Sequence, residues 1–163
     1  MHIDACRPPR YHRATMMPAT DTLTKIFAAA QQEARRLNRD FVGTEHLALA
    51  LLDVDDSEAG RVLRLMNVEG GYIRNVLAHA LPAGAEPPVV TGDLPLSPKA
   101  QRLISNAIVA AQAAGRERVS TCFLLASLLA EAAGVVCESF RRGGVDGGEL
   151  IKALRQREVS AEP

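Results

Sequence analysis

Residues 30–52, AQQEARRLNRDFVGTEHLALALL, decide the fold because they recur in altered form at residues 107–129, AIVAAQAAGRERVSTCFLLASLL. Residue 107 follows residue 30 by 77 positions, and the same offset aligns residues 20–81 with 97–158 without a gap. An Arg, a Val, a Thr, several Leu residues and a Gly-Gly pair are identical in this register. An internal duplication of this kind indicates two copies of one structural unit.

The first helix of each copy shows a clear period. Apolar residues recur at steps of four and three, starting from Leu23 and Phe27 in the first copy, and this spacing traces one stripe along a helix. Thr20 and Ser97 precede these helices, and a hydroxyl at that position can accept a hydrogen bond from the free N–H groups of the first turn. Both copies are therefore predicted to open in the same way.

Three further helices are predicted in each copy. The second begins at Thr44 or Thr121, and the third begins in the first copy at Ser57, a capping hydroxyl followed by an acid. The fourth follows the glycine pair at 70–71 or at 147–148. The sequence thus predicts an all-α fold with two tandem four-helix repeats packed as one pseudo-twofold, eight-helix domain.

The domain organisation follows from the repeat and from one proline-rich stretch. Residues 82–96 contain four prolines and two glycines, a composition that predicts an extended linker between the repeats. We expect one domain over 20–158, because a unit of about 60 residues alone would be marginally stable. Residues 1–19 are expected to form a disordered N-terminal tail and 159–163 a short C-terminal tail.

Composition limits the classes of function. Nineteen basic residues balance nineteen acidic ones, so the chain lacks the positive field that attracts nucleic acid or an anionic membrane. No apolar run approaches the roughly 18 residues that a membrane span requires. The cysteines Cys6, Cys122 and Cys137 form no C-x-x-C motif. We therefore expect a soluble, cytoplasmic protein that binds neither nucleic acid nor membrane.

Residues that could carry catalysis each have a simpler explanation. His46 has no second ligand at metal spacing, so a structural histidine is predicted. Cys122 lies at a helix start that could lower its pKa, but a small core residue is the better interpretation. The glycines of residues 143–148 follow no strand, and no G-x-x-x-x-G-K-[ST] phosphate loop occurs. The sequence predicts a protein that is not an enzyme and has no catalytic residue, metal or cofactor.

The segment 30–47 closely resembles the repeat of the Clp N-terminal domain, which stands at the front of the Clp/Hsp100 AAA+ unfoldases. Its most specific part is Gly43-Thr44-Glu45-His46, and Leu94-Pro-Leu-Ser-Pro-Lys-Ala100 is similar to the family's entry into its second repeat. The resemblance covers roughly residues 20–157. It implies a protein-binding module whose partners are a Clp AAA+ ATPase or protease, adaptors or client proteins.

Two roles within that family stay open from the sequence. The chain could dock adaptors or clients for an unfoldase, as a free-standing protein or as part of a longer one. Alternatively it could be a regulatory or structural protein that has lost client binding. The second role is suggested by the second copy, which has Cys122-Phe123 where the first has Glu45-His46.

Two candidate sites complete the sequence-based expectations. The resemblance implies a pocket for phosphorylated arginine at Thr20 and Glu45, where the carboxylate would pair with the guanidinium and the hydroxyl would hold the phosphate. The simpler interpretation is that Glu45 is only a favourable residue for a helix start. A partner groove is expected where the two repeats meet, lined by Leu23, Phe27, Leu96 and Ala100.

Overall fold

The computed structural model describes residues 18–160 except 55, 88, 90, 132 and 133. The described chain is all-α, with eight helices, as predicted. In chain order these are α1 Asp21–Arg36, α2 Thr44–Asp53, α3 Glu58–Leu65, α4 Gly70–Ala80, α5 Pro98–Ala113, α6 Thr121–Ala130, α7 Val135–Arg142 and α8 Gly147–Ser160.

The two repeats have nearly the same local geometry. α1 and α5 both have 16 residues, α2 and α6 have 10, and α3 and α7 have 8. The backbone turns into the left-handed region at Asn38 and at its counterpart Gly115, and again at Asn67 and its counterpart Gly144. Asn and Gly are the residues that tolerate this conformation best, so the offset of 77 also fixes where the helices end.

The helix starts confirm the predicted caps and correct one detail. The hydroxyls of Thr20, Ser57 and Ser97 each accept a hydrogen bond from a first-turn N–H. Thr44 is the first residue of α2, as predicted, and the extended residue before the helix is Gly43. The fourth helix of each repeat begins on its glycine pair and not after it.

The repeats exchange backbone hydrogen bonds in a reciprocal way. In the first junction, residues 18–20 lie against 119–121: Thr20 N donates to Val119 O at 3.0 Å, and Val119 N donates to Pro18 O at 2.9 Å. In the second junction, residues 95–97 lie against 42–44: Ser97 N donates to Val42 O at 2.9 Å, and Val42 N donates to Pro95 O at 2.8 Å. These positions correspond through the offset of 77, so the two repeats are related by a pseudo-twofold rotation.

Helices of both repeats contribute to a single hydrophobic core. Within each repeat the first helix packs on the second and the second on the fourth, while α2 and α6 meet across the pseudo-twofold axis. Alanines with 0–1% exposure lie at equivalent places in α1 and α5; these are Ala30, Ala34, Ala107 and Ala111. Small side chains at these points let the helix backbones approach closely, which explains how a core with few aromatic residues fills its volume.

The linker docks on the first repeat. Leu94 N donates to Gln31 Oε1 at 2.7 Å, and Gln31 Nε2 donates to Leu94 O at 2.9 Å. Gly84 N donates to Leu37 O at 2.8 Å. A single glutamine side chain thus satisfies both polar groups of one linker residue, and the chain arrives at Ser97 in a fixed direction.

The predicted tails fall mostly beyond the part of the chain that the structure describes. Of the expected N-terminal tail, residues 1–17 lie outside the described residues, whereas Pro18 and Ala19 belong to the first junction. α8 continues to Ser160, and 161–163 also lie outside. The domain boundaries themselves stay predictions.

No single helix in the described chain is long and apolar enough to cross a membrane, and only α6 and α7 together, bent by 96°, reach that length and composition.

Candidate functional site

Thr20 lies in the first junction, where it caps helix α1. Its hydroxyl accepts a hydrogen bond from Leu23 N at 3.3 Å and lies 3.2 Å from Thr22 Oγ1. Its backbone N–H donates to Val119 of the second repeat. The side chain is half-buried and is oriented by both its own helix and the opposite repeat.

A carboxylate next to Thr20 forms a cluster that the sequence did not predict. Glu58 Oε2 accepts hydrogen bonds from Thr22 Oγ1 at 2.6 Å and from Thr121 Oγ1 at 2.8 Å. Thr121 Oγ1 in turn accepts a hydrogen bond from Ala59 N at 2.8 Å. The Glu58 cluster, which we define as Glu58, Thr22 and Thr121, therefore connects the starts of α1, α3 and α6 across the two repeats.

The hydrogen bonds of this cluster decide the charge of Glu58. Burial disfavours the charged form, but it is outweighed by the hydrogen bonds of the threonines, Thr22 first, together with that of the backbone. They hold the pKa of Glu58 below its usual value, so the carboxylate is ionised at neutral pH. Its place in the first turn of α3 also favours a negative charge, because the helix dipole is positive there.

Glu45 lies near the second junction, on the second residue of α2. Its half-buried side chain folds back over Gly43, where a Cβ atom would lie only 2.5 Å from Glu45 Oε2. The pairing of Val42 with Ser97 places this helix start against the start of α5. The hydrogen bonds that Thr20 makes within the described chain stay at the first junction. The two residues predicted to share a pocket thus belong to different junctions.

His46 completes the start of α2 as a structural residue. Its Nδ1 atom accepts a hydrogen bond from Gly43 N at 2.8 Å, which satisfies an N–H that has no partner within the helix. The side chain is buried, and its ring is T-shaped against the Phe41 ring, with the two ring centroids 6.4 Å apart. Burial lowers the pKa of His46, so the imidazole stays neutral. The prediction of a structural histidine is confirmed.

In the second repeat, a carboxylate from a distant part of the chain lies at the start of α6. Glu158, near the end of α8, is 3% exposed and accepts a hydrogen bond from the hydroxyl of Ser120, the residue that precedes α6. Arg116 Nε lies 3.4 Å from Glu158 Oε2. The position equivalent to Glu45 is Cys122, and the fold brings a carboxylate to this helix start from a distant part of the chain.

Cys122 lies beside the Glu158 carboxylate, and its thiol is not activated for nucleophilic attack. The thiol is buried, and burial together with the charge of Glu158 raises its pKa. A thiol that stays protonated is a poor nucleophile, so Cys122 behaves as the small core residue that the sequence predicted. Within the described residues no group of three or more His, Cys, Asp or Glu side chains could hold a metal ion.

The four side chains expected to line a groove all lie in the shared core. Leu23, Phe27, Leu96 and Ala100 are 2%, 4%, 9% and 0% exposed. The apolar stripe that the periodicity identified faces the hydrophobic core, where α1 packs on α2 and α5 packs on α6 of the same repeat. These side chains leave a partner almost nothing to contact, and a binding surface needs other residues.

Comparisons with known sequences place this geometry in a family. The Clp repeat N-terminal domain matches residues 19–136. The chloroplast chaperone protein ClpC1 of Oryza sativa subsp. japonica is 30% identical over 138 residues, which cover 85% of this chain and 15% of the relative. The chain thus spans about 15% of the length of the curated relatives it matches.

Solved structures share the fold at lower sequence identity. The Hsp104 N-terminal domain from Candida albicans aligns with a TM-score of 0.74 at 16% identity, over 88% of this chain and 93% of that one. A ClpV N-domain solved in complex with a VipB peptide aligns with a TM-score of 0.68 at 16% identity, over 98% of this chain and 99% of that one. At these identities the likeness establishes the fold.

Proposed function

This chain belongs to the Clp repeat N-terminal domain family, and from that membership we propose that it is a non-catalytic module that binds segments of other proteins for Clp chaperones. The observation that carries the proposal is the family match over residues 19–136, which includes the second junction and all of the first except Pro18. The ClpV N-domain solved with a VipB peptide supports it, because the same fold holds a peptide there.

The geometry favours binding over turnover. His46, a possible base, is buried and already accepts a hydrogen bond from Gly43 N. Cys122, a possible nucleophile, has a raised pKa. The reciprocal junctions instead join the two repeats into one helical frame, and a frame that is ordered before it meets its partner loses little conformational entropy on binding.

The proposed partners are a Clp AAA+ ATPase or protease, together with adaptor or client proteins. The alternative is a regulatory or structural protein that keeps the fold and has lost client binding. The specific observation favouring it is that the carboxylate at the start of α6 belongs to Glu158, which is buried and paired with Arg116. The expectations of a cytoplasmic location and of no binding to nucleic acid or membrane stay predictions, and the rice relative is chloroplastic.

A pull-down separates these two roles. The purified chain is immobilised and exposed to a purified Clp ATPase ring, with and without its protease, and degradation of a labelled client is followed with the free chain added. Capture of the ring or a changed rate of degradation supports the proposal. A folded chain that captures neither ring nor client, and leaves degradation unchanged, favours the alternative.

We keep Thr20 and Glu45 as proposed contacts for phosphorylated arginine. Glu45 offers a half-exposed carboxylate for a guanidinium, while Thr20 has the Glu58 carboxylate close by, which would oppose a phosphate. Free phosphoarginine titrated by NMR tests both, with Glu45→Gln and Thr20→Ala each expected to weaken binding about tenfold. The matched control is Glu69→Gln, an exposed glutamate at the start of another helix. Unchanged affinity in either variant would exclude that residue as a contact.

A further inference from the structure

Because the two repeats correspond through the offset of 77, each position in one repeat can be compared with its equivalent in the other. In the first repeat, Arg74 on α4 lies between Glu33 on α1 and Asp53 at the end of α2. Arg74 Nη2 lies 3.1 Å from Glu33 Oε1, and Arg74 Nε donates to Asp53 Oδ1. This ion-pair network spans the groove between α1, α2 and α4.

The second repeat has lost all three members of this network. The equivalent positions, 77 residues later, are Ala110 on α5, Ala130 at the end of α6 and Ile151 on α8. Two of these positions, Ala110 and Ala130, line an open cleft of about 130 Å³ between α5, α6 and α8. Its walls include Ala110, Phe123, Ala130 and Leu154, so the interior is mainly apolar.

The cleft has a cationic rim. Arg155 is the one charged side chain among the described residues that line it, and Asn106 supplies a neutral polar group on the facing helix. Arg155 is exposed, and no ion pair joins it to another residue in the described part of the chain. Val109, next to Ala110, is 63% exposed and extends the apolar surface outward along α5.

We propose that this cleft is a docking site for a segment of a partner protein that presents an aliphatic side chain next to a carboxylate. The volume suits one such side chain, since apolar cavities of roughly 150 Å³ accept a benzene-sized group. Arg155 favours a carboxylate on the partner, because Arg155 is the cation at the rim of the cleft and has no acidic partner there among the described residues. The inference rests on the proposed protein-binding function and assigns one of its surfaces.

The test uses the full chain with ¹³C-labelled alanine methyl groups and two probes, acetyl-Leu-Glu-amide and acetyl-Leu-Lys-amide. We expect the glutamate probe to shift the methyl signals of Ala110, Ala126 and Ala130 and to bind roughly two- to fivefold more tightly than the lysine probe. Arg155→Glu should reverse this preference. The proposal is overturned if these methyl signals do not respond, or if the two probes bind equally well.

A filled cleft provides the control. The triple variant A110E/A130D/I151R rebuilds in the second repeat the network seen in the first and should abolish the shifts while circular dichroism shows an unchanged helix content. If that variant does not fold, Ala130→Met fills the cleft with a single side chain. Probe binding that survives in a folded, filled variant overturns the proposal. If the probes fail but the chain still captures a Clp ring, the cleft assignment falls and the proposed function stands, whereas failure of both assays removes both.

Discussion

Replacing Glu58 by glutamine should weaken the contact between the two repeats. Glutamine keeps one oxygen that can accept a hydrogen bond from Thr22 or Thr121, but it removes the negative charge of the carboxylate that accepts both hydrogen bonds. It also removes a negative charge from the first turn of α3. The variant therefore tests whether a single carboxylate fastens α1 and α6 to α3.

The expected loss follows from the two hydrogen bonds. A hydrogen bond to a charged group contributes about 1.5–3 kcal/mol and a neutral one about 0.5–1.5 kcal/mol, so each bond loses about 1 kcal/mol. Because the carboxylate is only partly buried, solvent screening reduces the sum to about 1 kcal/mol. The helix dipole adds about 0.5 kcal/mol. We expect the free energy of unfolding to fall by about 1.5 kcal/mol and the melting temperature by about 3–6 °C.

Urea unfolding followed by circular dichroism measures this loss, and its pH dependence identifies the charge as the cause. The folded-state pKa of Glu58 is lowered, so its contribution is fully present above the usual value of 4.5 and is lost as the pH falls through the folded pKa. The difference between wild type and Glu58→Gln should therefore be constant near neutral pH and shrink in acid.

Glu69→Gln serves as the matched control, because Glu69 also stands at a helix start but is exposed and makes no side-chain capping bond. That variant should change the free energy of unfolding by less than about 0.5 kcal/mol. The reasoning is refuted if Glu58→Gln is as stable as Glu69→Gln at neutral pH. A difference that persists unchanged below the folded pKa would show that shape, and not charge, holds the helices together.

Three further predictions concern other parts of the fold. Arg74→Ala should lower the free energy of unfolding in urea by about 1 kcal/mol, whereas Arg61→Ala, which removes an exposed pair, should lower it by less than about 0.5 kcal/mol. Equal losses in the two variants would show that the network does not stabilise the fold. Cys122 should resist iodoacetamide at pH 8 until the chain unfolds, so peptide mapping that finds it alkylated in the native chain would contradict its burial and raised pKa. Gly143→Ala should lower the free energy of unfolding by about 1–2 kcal/mol, because its Cβ would lie 2.7 Å from a side-chain carbon of α4. Gly71→Ala has open space around its Cβ and should raise the free energy of unfolding by about 0.5–1 kcal/mol. Melting temperatures that move in the same direction in the two variants would refute this comparison.

Much of the fold could be predicted because the duplication repeats every local signal. The period of α1 and α5, the capping hydroxyls of Thr20, Ser57 and Ser97, and the glycine pairs are all read within a few neighbouring residues. The turn at Asn38 and its counterpart Gly115 shows the same local logic, since both residues tolerate a left-handed backbone. Signals of this range depend little on tertiary packing.

The candidate site was harder to predict because its contacts are long-range. Glu58 reaches Thr121 across 63 residues of sequence, and Glu158 reaches Ser120 across 38. No periodicity links such pairs, so only the folded chain brings them together. The expected groove had a different problem, because an apolar stripe looks the same whether it faces a partner or the protein's own core. Phe27 and Leu96 face the core.

The claim that this chain binds other proteins is tested most directly with an unstructured protein as the probe. Fluorescein-labelled α-casein is titrated with the full chain, and fluorescence anisotropy is followed while circular dichroism monitors the fold. We expect a saturable rise with half-saturation in about the micromolar range. Anisotropy that stays flat up to about 100 μM of a fully helical chain would contradict the account.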